Sequence, residues 1–113
     1  MRRLVYAHRG GLALSPENTI AAFDRGVGEG ADGLELDVRL SRDGVVVVHH
    51  DETLERTTSG RGPVSAHTAD ELARVDAGFH FAKDGAFPFR GQGIGVPTLH
   101  EVLRRYPDAR LII

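Results

Sequence analysis

Cysteine is absent from the 113 residues, which excludes disulfides and thiolate metal sites and leaves the redox compartment without a marker. Lysine occurs once, at Lys83; every other basic side chain is an arginine, the residue suited to planar phosphate recognition. Neither sign of charge dominates. A formal net charge of -2 and a pI of about 6.3 argue against a protein that grips nucleic acid or an anionic membrane by charge alone. No apolar run is long enough for a signal-peptide core or a membrane span. The run Leu4-Val5-Tyr6-Ala7 passes at once into charged and glycine-rich sequence, which predicts a soluble, cytoplasmic protein with no transmembrane segment. Internal repeats and low-complexity tracts are also missing. What is present is a globular balance, 41% hydrophobic and 27% charged, in a chain long enough for one domain at most.

Leu4-Val5-Tyr6-Ala7 reads as a buried strand that opens into the polar loop His8-Arg9-Gly10-Gly11. Ser15-Pro16-Glu17 reads as a helix start, with Ser15 as N-cap and Pro16 in the first helical position. Ile20, Phe23 and Val27 recur at helical spacing, and Gly28 and Gly30 end the helix. Residues 33–40 alternate: Leu34, Leu36, Val38 and Leu40 share one face of a strand, and Glu35, Asp37 and Arg39 share the other. Ser41-Arg42-Asp43-Gly44 is a turn, followed by the β-branched strand Val45-Val46-Val47-Val48-His49-His50. Asp43-Gly44 is a hairpin signal, but a parallel crossover through the same residues also brings the strand ends together.

Residues 51–63 form a polar loop. Thr68 and Glu71 make a capping box ahead of a helix ending near Gly78. Residues 78–97, rich in Gly and Phe, form an ordered loop or small insertion. Thr98 and Glu101 make a second box for a helix to about Tyr106, and Leu111-Ile112-Ile113 begins another buried strand. This alternation predicts an α/β architecture with a largely parallel sheet. Because a (β/α)8 barrel typically takes about 250 residues, the chain is expected to hold only its N-terminal portion, residues 1–113 of a single barrel domain.

Glu35 and Asp37, at i and i+2 on a strand, point the same way. Two ionised carboxylates side by side under a covering layer need a compensating charge, and a hard cation such as Mg2+ or Ca2+ supplies it through oxygen ligands. The same spacing also describes a half-exposed strand with a solvated charged face, paired with Arg39. His8 and Arg9 end the first strand, where α/β barrels gather their catalytic groups. The imidazole can move a proton near neutral pH and the guanidinium can grip two phosphate oxygens, although a loop His beside a surface Arg has the same pattern. Of His49 and His50, alternation turns one inward. His50, on the face of Val46 and Val48, is the candidate for a second acid–base group, and His49 packs or is partly exposed. Asp51 either orients His50 or caps the following loop.

The order His8-Arg9-Gly10, Pro16-Glu17-Asn18-Thr19, Glu35-Leu36-Asp37-Val38, Asp43-Gly44 and His50-Asp51-Glu52-Thr53-Leu54-Glu55-Arg56-Thr57-Thr58 resembles the glycerophosphodiester phosphodiesterase family, as does Val96-Pro97-Thr98-Leu99 before a helix. The resemblance implies a TIM-type barrel that hydrolyses glycerophosphodiesters to sn-glycerol 3-phosphate and an alcohol. It implies His8 and His50 as general acid and base, Arg9 on the phosphate, and Glu35 and Asp37 on a divalent metal, Mg2+ or Ca2+. Glu17 and Asn18 match a motif at the start of the first helix and stand behind the reacting groups, with Asp51. Two departures are visible. His100 replaces the first of two acidic residues common after Pro-Thr-Leu, and the family's further Glu ligand belongs on the strand that Leu111 begins, just past Ile113.

Two other expectations stand beside that one. A related phosphodiesterase of the lysophospholipase D or sphingomyelinase D type would use the same barrel. In that case Phe79, Phe81, Phe87 and Phe89 would line a lipid-facing pocket rather than pack under their loop. Alternatively the 113 residues alone are a catalytically incomplete piece whose open sheet edges favour self-association.

Overall fold

The computed structural model describes residues 3–11 and 14–113. Strand β1 (Tyr6–His8) leads through helix α1 (Ile20–Gly28) to β2 (Gly33–Glu35). A β-hairpin follows, β3 (Val38–Leu40) and β4 (Val46–Val48), then a 3-10 turn (Val64–Ala66) and helix α2 (Ala69–Arg74). Helix α3 (Leu99–Arg105) and β5 (Arg110–Ile112) complete the order. Among the described residues, no helix is long and apolar enough to cross a membrane.

Strands β1, β2 and β5 form a parallel sheet in the order β1-β2-β5, and β3 pairs with β4 antiparallel in a separate two-stranded sheet. The Asp43-Gly44 turn is therefore a hairpin, with Gly44 in the left-handed region at φ 77°. The register aligns Ala7 with Leu34 and Leu34 with Leu111, and these three residues join the core beneath α1 and α3. The next row is His8, Glu35 and Ile112, the last residue of each strand, and alternation turns it to the opposite face. Helix α1 lies close on β1: a Cβ on Gly26 would stand 3.0 Å from the Ala7 Cβ.

Residues 33–40 are not one strand, as their alternation suggested. Leu36 still pairs toward β5, its N–H donating to the Ile112 carbonyl, whereas Asp37 pairs with the hairpin through the His49 N–H. The chain changes sheets between these two residues. Side-chain alternation survives the switch, with Leu34 and Leu36 before it in the first core cluster and Val38 after it packed against the same cluster, so the pattern alone does not reveal it.

The run of valines in β4 serves two cores. Val48 joins Phe23, Leu34, Leu36 and Val102 between the parallel sheet and its helices. Val47, on the other face, joins Leu54, Val64, Leu72 and Val96, a second core lying entirely within the segment between β2 and α3. A strand buried on both sides reads as a continuous β-branched run for this reason.

The helix starts divide into one surprise and two expectations met. Thr19, not Ser15, caps α1, its hydroxyl accepting from the Ala22 N–H at 3.2 Å. The preceding Asn18 holds φ at 55°, which a helical residue cannot do, so Pro16 and Glu17 lie in a turn. Thr68–Glu71 and Thr98–Glu101 are both complete capping boxes. Helix α2 stops at Arg74 instead of near Gly78, because Val75 is already extended at ψ 152°. In the loop that follows, Phe81 meets Phe89 edge to face at 5.4 Å, and the Arg90 guanidinium lies 3.9 and 3.8 Å from the Phe79 and Phe87 ring centres. Phe81 and Phe89 thus pack on each other and Phe79 and Phe87 on Arg90, with Phe87 still 45% exposed.

Candidate active site

Every residue singled out as a candidate comes to one end of the parallel sheet, beyond the carboxyl ends of β1 and β2. His8 and Glu35 are register partners, with His8 Nε2 3.7 Å from Glu35 Oε1. The turn after β1 forces Arg9 into the left-handed region at φ 50°, a conformation that costs a non-glycine residue about 1–2 kcal/mol. Its surroundings hold it there: Gly11 N–H donates to the His8 carbonyl, and Asn18 N–H donates to the Arg9 carbonyl at 2.8 Å. Such strain is characteristic of sites that must aim a side chain.

The buried Asn18 amide clamps Asp37. Its Nδ2 donates to Asp37 Oδ2 at 3.0 Å, and its Oδ1 accepts from the Asp37 N–H at 3.4 Å. Arg9 reaches the same carboxylate, Nε to Oδ2 at 3.5 Å, while its Nη1 donates to Glu17 Oε2 at 3.2 Å. Glu17 in turn accepts from both terminal nitrogens of Arg56, at 2.9 and 3.0 Å. Arg56 also grips Asp51 through Nε at 2.7 Å and Nη2 at 3.0 Å. Asp51 Oδ1 stands 2.7 Å from His50 Nδ1. An ionised carboxylate can only accept, so Nδ1 carries the proton and Nε2 is left as the acceptor of the neutral ring. The line Asp37, Arg9, Glu17, Arg56, Asp51, His50 is therefore continuous.

The Arg56 hydrogen bonds hold the Asp51 carboxyl well below the usual carboxylate range, against the opposing effect of partial burial, and the His50 contact adds to them. The two carboxylates also raise the Arg56 guanidinium above its ordinary value, Asp51 most strongly. His50 is fixed from its backbone as well: Arg39 Nε and Nη2 both donate to its carbonyl, at 3.1 and 2.8 Å. His49 points the other way. It is 5% exposed, with Nε2 donating to the Thr53 carbonyl at 3.1 Å. Burial pushes its imidazole below the ordinary histidine value, the hydrogen bond to Thr53 opposing.

Two features bear on a metal. The cluster sets four carboxylates, Glu17, Glu35, Asp37 and Asp51, against two guanidiniums, Arg9 and Arg56. Glu35 Oε2 is buried without a hydrogen-bond partner, a position that is expensive for a carboxylate oxygen unless a cation meets it. Among the described residues, no three His, Asp or Glu converge as a complete metal-binding group. Beside Glu17 and Arg56 opens a cleft of about 210 Å³, lined also by Pro16, Thr57, His80 and Phe81.

Arg56 is the one member of this cluster to which no role was attached from the sequence. It stands in the resembling segment, but its partner Glu17 is 39 residues away, and only the folded chain joins them.

A parallel sheet with flanking helices and an ionic cluster at its carboxyl ends defines part of a TIM-type α/β barrel. The chain belongs to the glycerophosphoryl diester phosphodiesterase family, which it matches over residues 8–112. It is 47% identical to a glycerophosphodiester phosphodiesterase of Caldanaerobacter subterraneus subsp. tengcongensis over 113 residues, all of this chain and 44% of that protein. Among solved structures, the glycerophosphodiester phosphodiesterase of Agrobacterium tumefaciens matches with a TM-score of 0.85 and 44% identity, over 98% of this chain and 46% of that one. An Oleispira antarctica phosphodiesterase, solved in complex with its product sn-glycerol-3-phosphate, matches with a TM-score of 0.78 and 36% identity, over 96% of this chain and 42% of that one. The chain thus spans less than half the length of these relatives.

Proposed function

We propose that this chain supplies the acid–base and phosphate-binding groups of a glycerophosphodiester phosphodiesterase, an enzyme that cleaves a P–O bond to release an alcohol and sn-glycerol 3-phosphate. The observation that carries the reading is the continuous ionic line from Asp37 through Arg9 to His50, with the His8–Glu35 pair at the ends of β1 and β2. The product found in the Oleispira antarctica relative supports the same chemistry.

In this reading Arg9 binds the phosphate oxygens, a guanidinium task. One imidazole takes a proton from the attacking water and the other protonates the departing alkoxide oxygen, so that water adds across the P–O bond that breaks. Proton transfer of this kind contributes about 100- to 10,000-fold. His50 suits the task because Asp51 fixes the proton on Nδ1 and leaves Nε2 to act. Glu35 and Asp37 would hold a divalent cation, Mg2+ or Ca2+. The excess of carboxylates in the cluster and the orphaned Glu35 oxygen both suit such a charge. When bound, it would supply electrostatic stabilisation of the phosphate. Glu17 and Asn18 hold Arg9 and Asp37 in place.

The test is release of sn-glycerol 3-phosphate by the protein encoded in the complete reading frame. His8→Ala and His50→Ala should each remove most turnover. Near-normal rates in both would sink the assignment. Glu35→Gln should also weaken Mg2+ or Ca2+ binding measured by calorimetry; unchanged binding would remove Glu35 from the metal.

A further inference from the structure

We propose that Arg56 is a positioning residue that sets the acid–base group and the phosphate-binding group together, holding His50 through Asp51 and Arg9 through Glu17. The inference rests on the reading above for what His50 and Arg9 do. One planar guanidinium makes four hydrogen bonds, two to each carboxylate, at 2.7 to 3.0 Å. Each carboxylate then passes the constraint on, Asp51 to His50 Nδ1 at 2.7 Å and Glu17 to Arg9 Nη1 at 3.2 Å.

The geometry requires arginine. A lysine ammonium has three donors on one atom and cannot give each of two carboxylates the paired, in-plane hydrogen bonds that the guanidinium makes. Without the guanidinium, Asp51 and Glu17 face each other with like charge. Each is then free to turn, and the lock on the His50 tautomer and on the Arg9 side chain is released. Arg56 is half-exposed, with its side chain 50% accessible, and both of its carboxylate partners are less exposed, 12% for Glu17 and 25% for Asp51. This arrangement places the cation as a cover over the pair, with its bonds directed at the carboxylates. Its contribution therefore lies in aiming other groups rather than in filling the core.

The experiment uses the protein from the complete reading frame. Arg56→Gln should lower kcat about 10- to 100-fold, the range typical of partners that orient site residues, with little change in Tm. Arg56→Lys should not restore it. In an Asp51→Asn, Glu17→Gln background, Arg56→Gln should add almost nothing, because its two routes are already cut. A full multiplicative loss in that background would overturn the proposal and put Arg56 directly on the substrate. An unchanged kcat in Arg56→Gln would overturn it too.

A second readout needs no turnover. The side-chain ¹⁵N resonances of neutral His50 should report the Nδ1–H tautomer in the parent and a tautomer mixture in Arg56→Gln, and identical resonances would refute the link. If His50→Ala proves fully active, the reading of the function fails, while the resonance test still decides whether Arg56 governs His50.

Discussion

Gly10 sits where the functional turn meets the core, so adding a single methyl there tests both. Its φ is 80°, in the left-handed region, which costs an L-residue about 1–2 kcal/mol. A Cβ at this position would lie 2.6 Å from Phe23 Cδ1 and 3.0 Å from the Ala22 Cβ. Phe23 has no room to retreat. It is fully buried against Leu34, Leu36, Val48 and Val102, with the Tyr106 ring edge-on at 6.3 Å. Overpacking of this kind adds about 1–3 kcal/mol. Gly10→Ala should therefore destabilise the protein by about 2–5 kcal/mol in urea unfolding. The two contributions separate in a double-mutant cycle with Phe23→Leu. Shortening the ring relieves the clash but leaves the backbone strain, so the cycle should show a favourable coupling of about 1–3 kcal/mol. A loss below about 0.5 kcal/mol in the single variant, the usual scatter for harmless substitutions, would refute the reasoning. Zero coupling would refute its steric half.

Three further outcomes follow from other parts of the fold. Burial depresses His49, Asp51 and Glu17 opposing and Arg56 reinforcing, so its folded pKa lies below the unfolded value of about 6.5. The stability this confers is complete above that value and falls as pH drops through the window beneath it. His49→Gln, which can still donate to the Thr53 carbonyl, should flatten the fall in Tm across that window, and an unchanged slope would count against it. Thr98→Ala removes the side-chain acceptor of the Glu101 N–H and should lower stability by about 1 kcal/mol in chemical denaturation; no change would mean that α3 is held by packing alone. Arg39→Met deprives the His50 carbonyl of both donors and should lower stability by about 1–3 kcal/mol, the cost of an orphaned polar group, together with turnover. Loss of neither would show that the Arg39 contact does not anchor the hairpin end.

What the sequence disclosed is what local chemistry decides. Both Thr-x-x-Glu boxes were legible because cap and partner lie three residues apart, and both form as expected. The packing of His49 followed from alternation along β4, which puts it on the face of Val47 and the second core, whereas His50, its side chain 41% accessible, stands at the hairpin end against Asp51. The start of α1 was misplaced because Ser15-Pro16 carries the usual start signal, while Asn18, whose backbone defeats it, is held by its N–H on the Arg9 carbonyl and by its side chain on the distant Asp37. The switch of sheets after Leu36 was hidden for a similar reason. Alternation records which face a side chain takes, whereas the pairing partner, Ile112 or His49, is chosen by the whole chain. Arg56 shows the limit most clearly. An exposed arginine in a polar loop carries no periodic signal, and its meaning comes from two carboxylates, one of them 39 residues earlier in the chain.

The order of strands in the parallel sheet also sets a schedule for synthesis. Leu34 and its neighbour Leu111 are separated by 77 residues, the whole hairpin and second core lying between them. At a ribosomal rate of about 5–20 residues per second, roughly 4–15 seconds pass between the appearance of one and the other. During that interval β1, α1 and β2 have emerged with one flank of β2 unpaired, while the intervening segment can gather its own valine- and leucine-lined core. The nascent chain thus carries an open edge for seconds, and the length of this interlude sets how long that edge is available for mispairing.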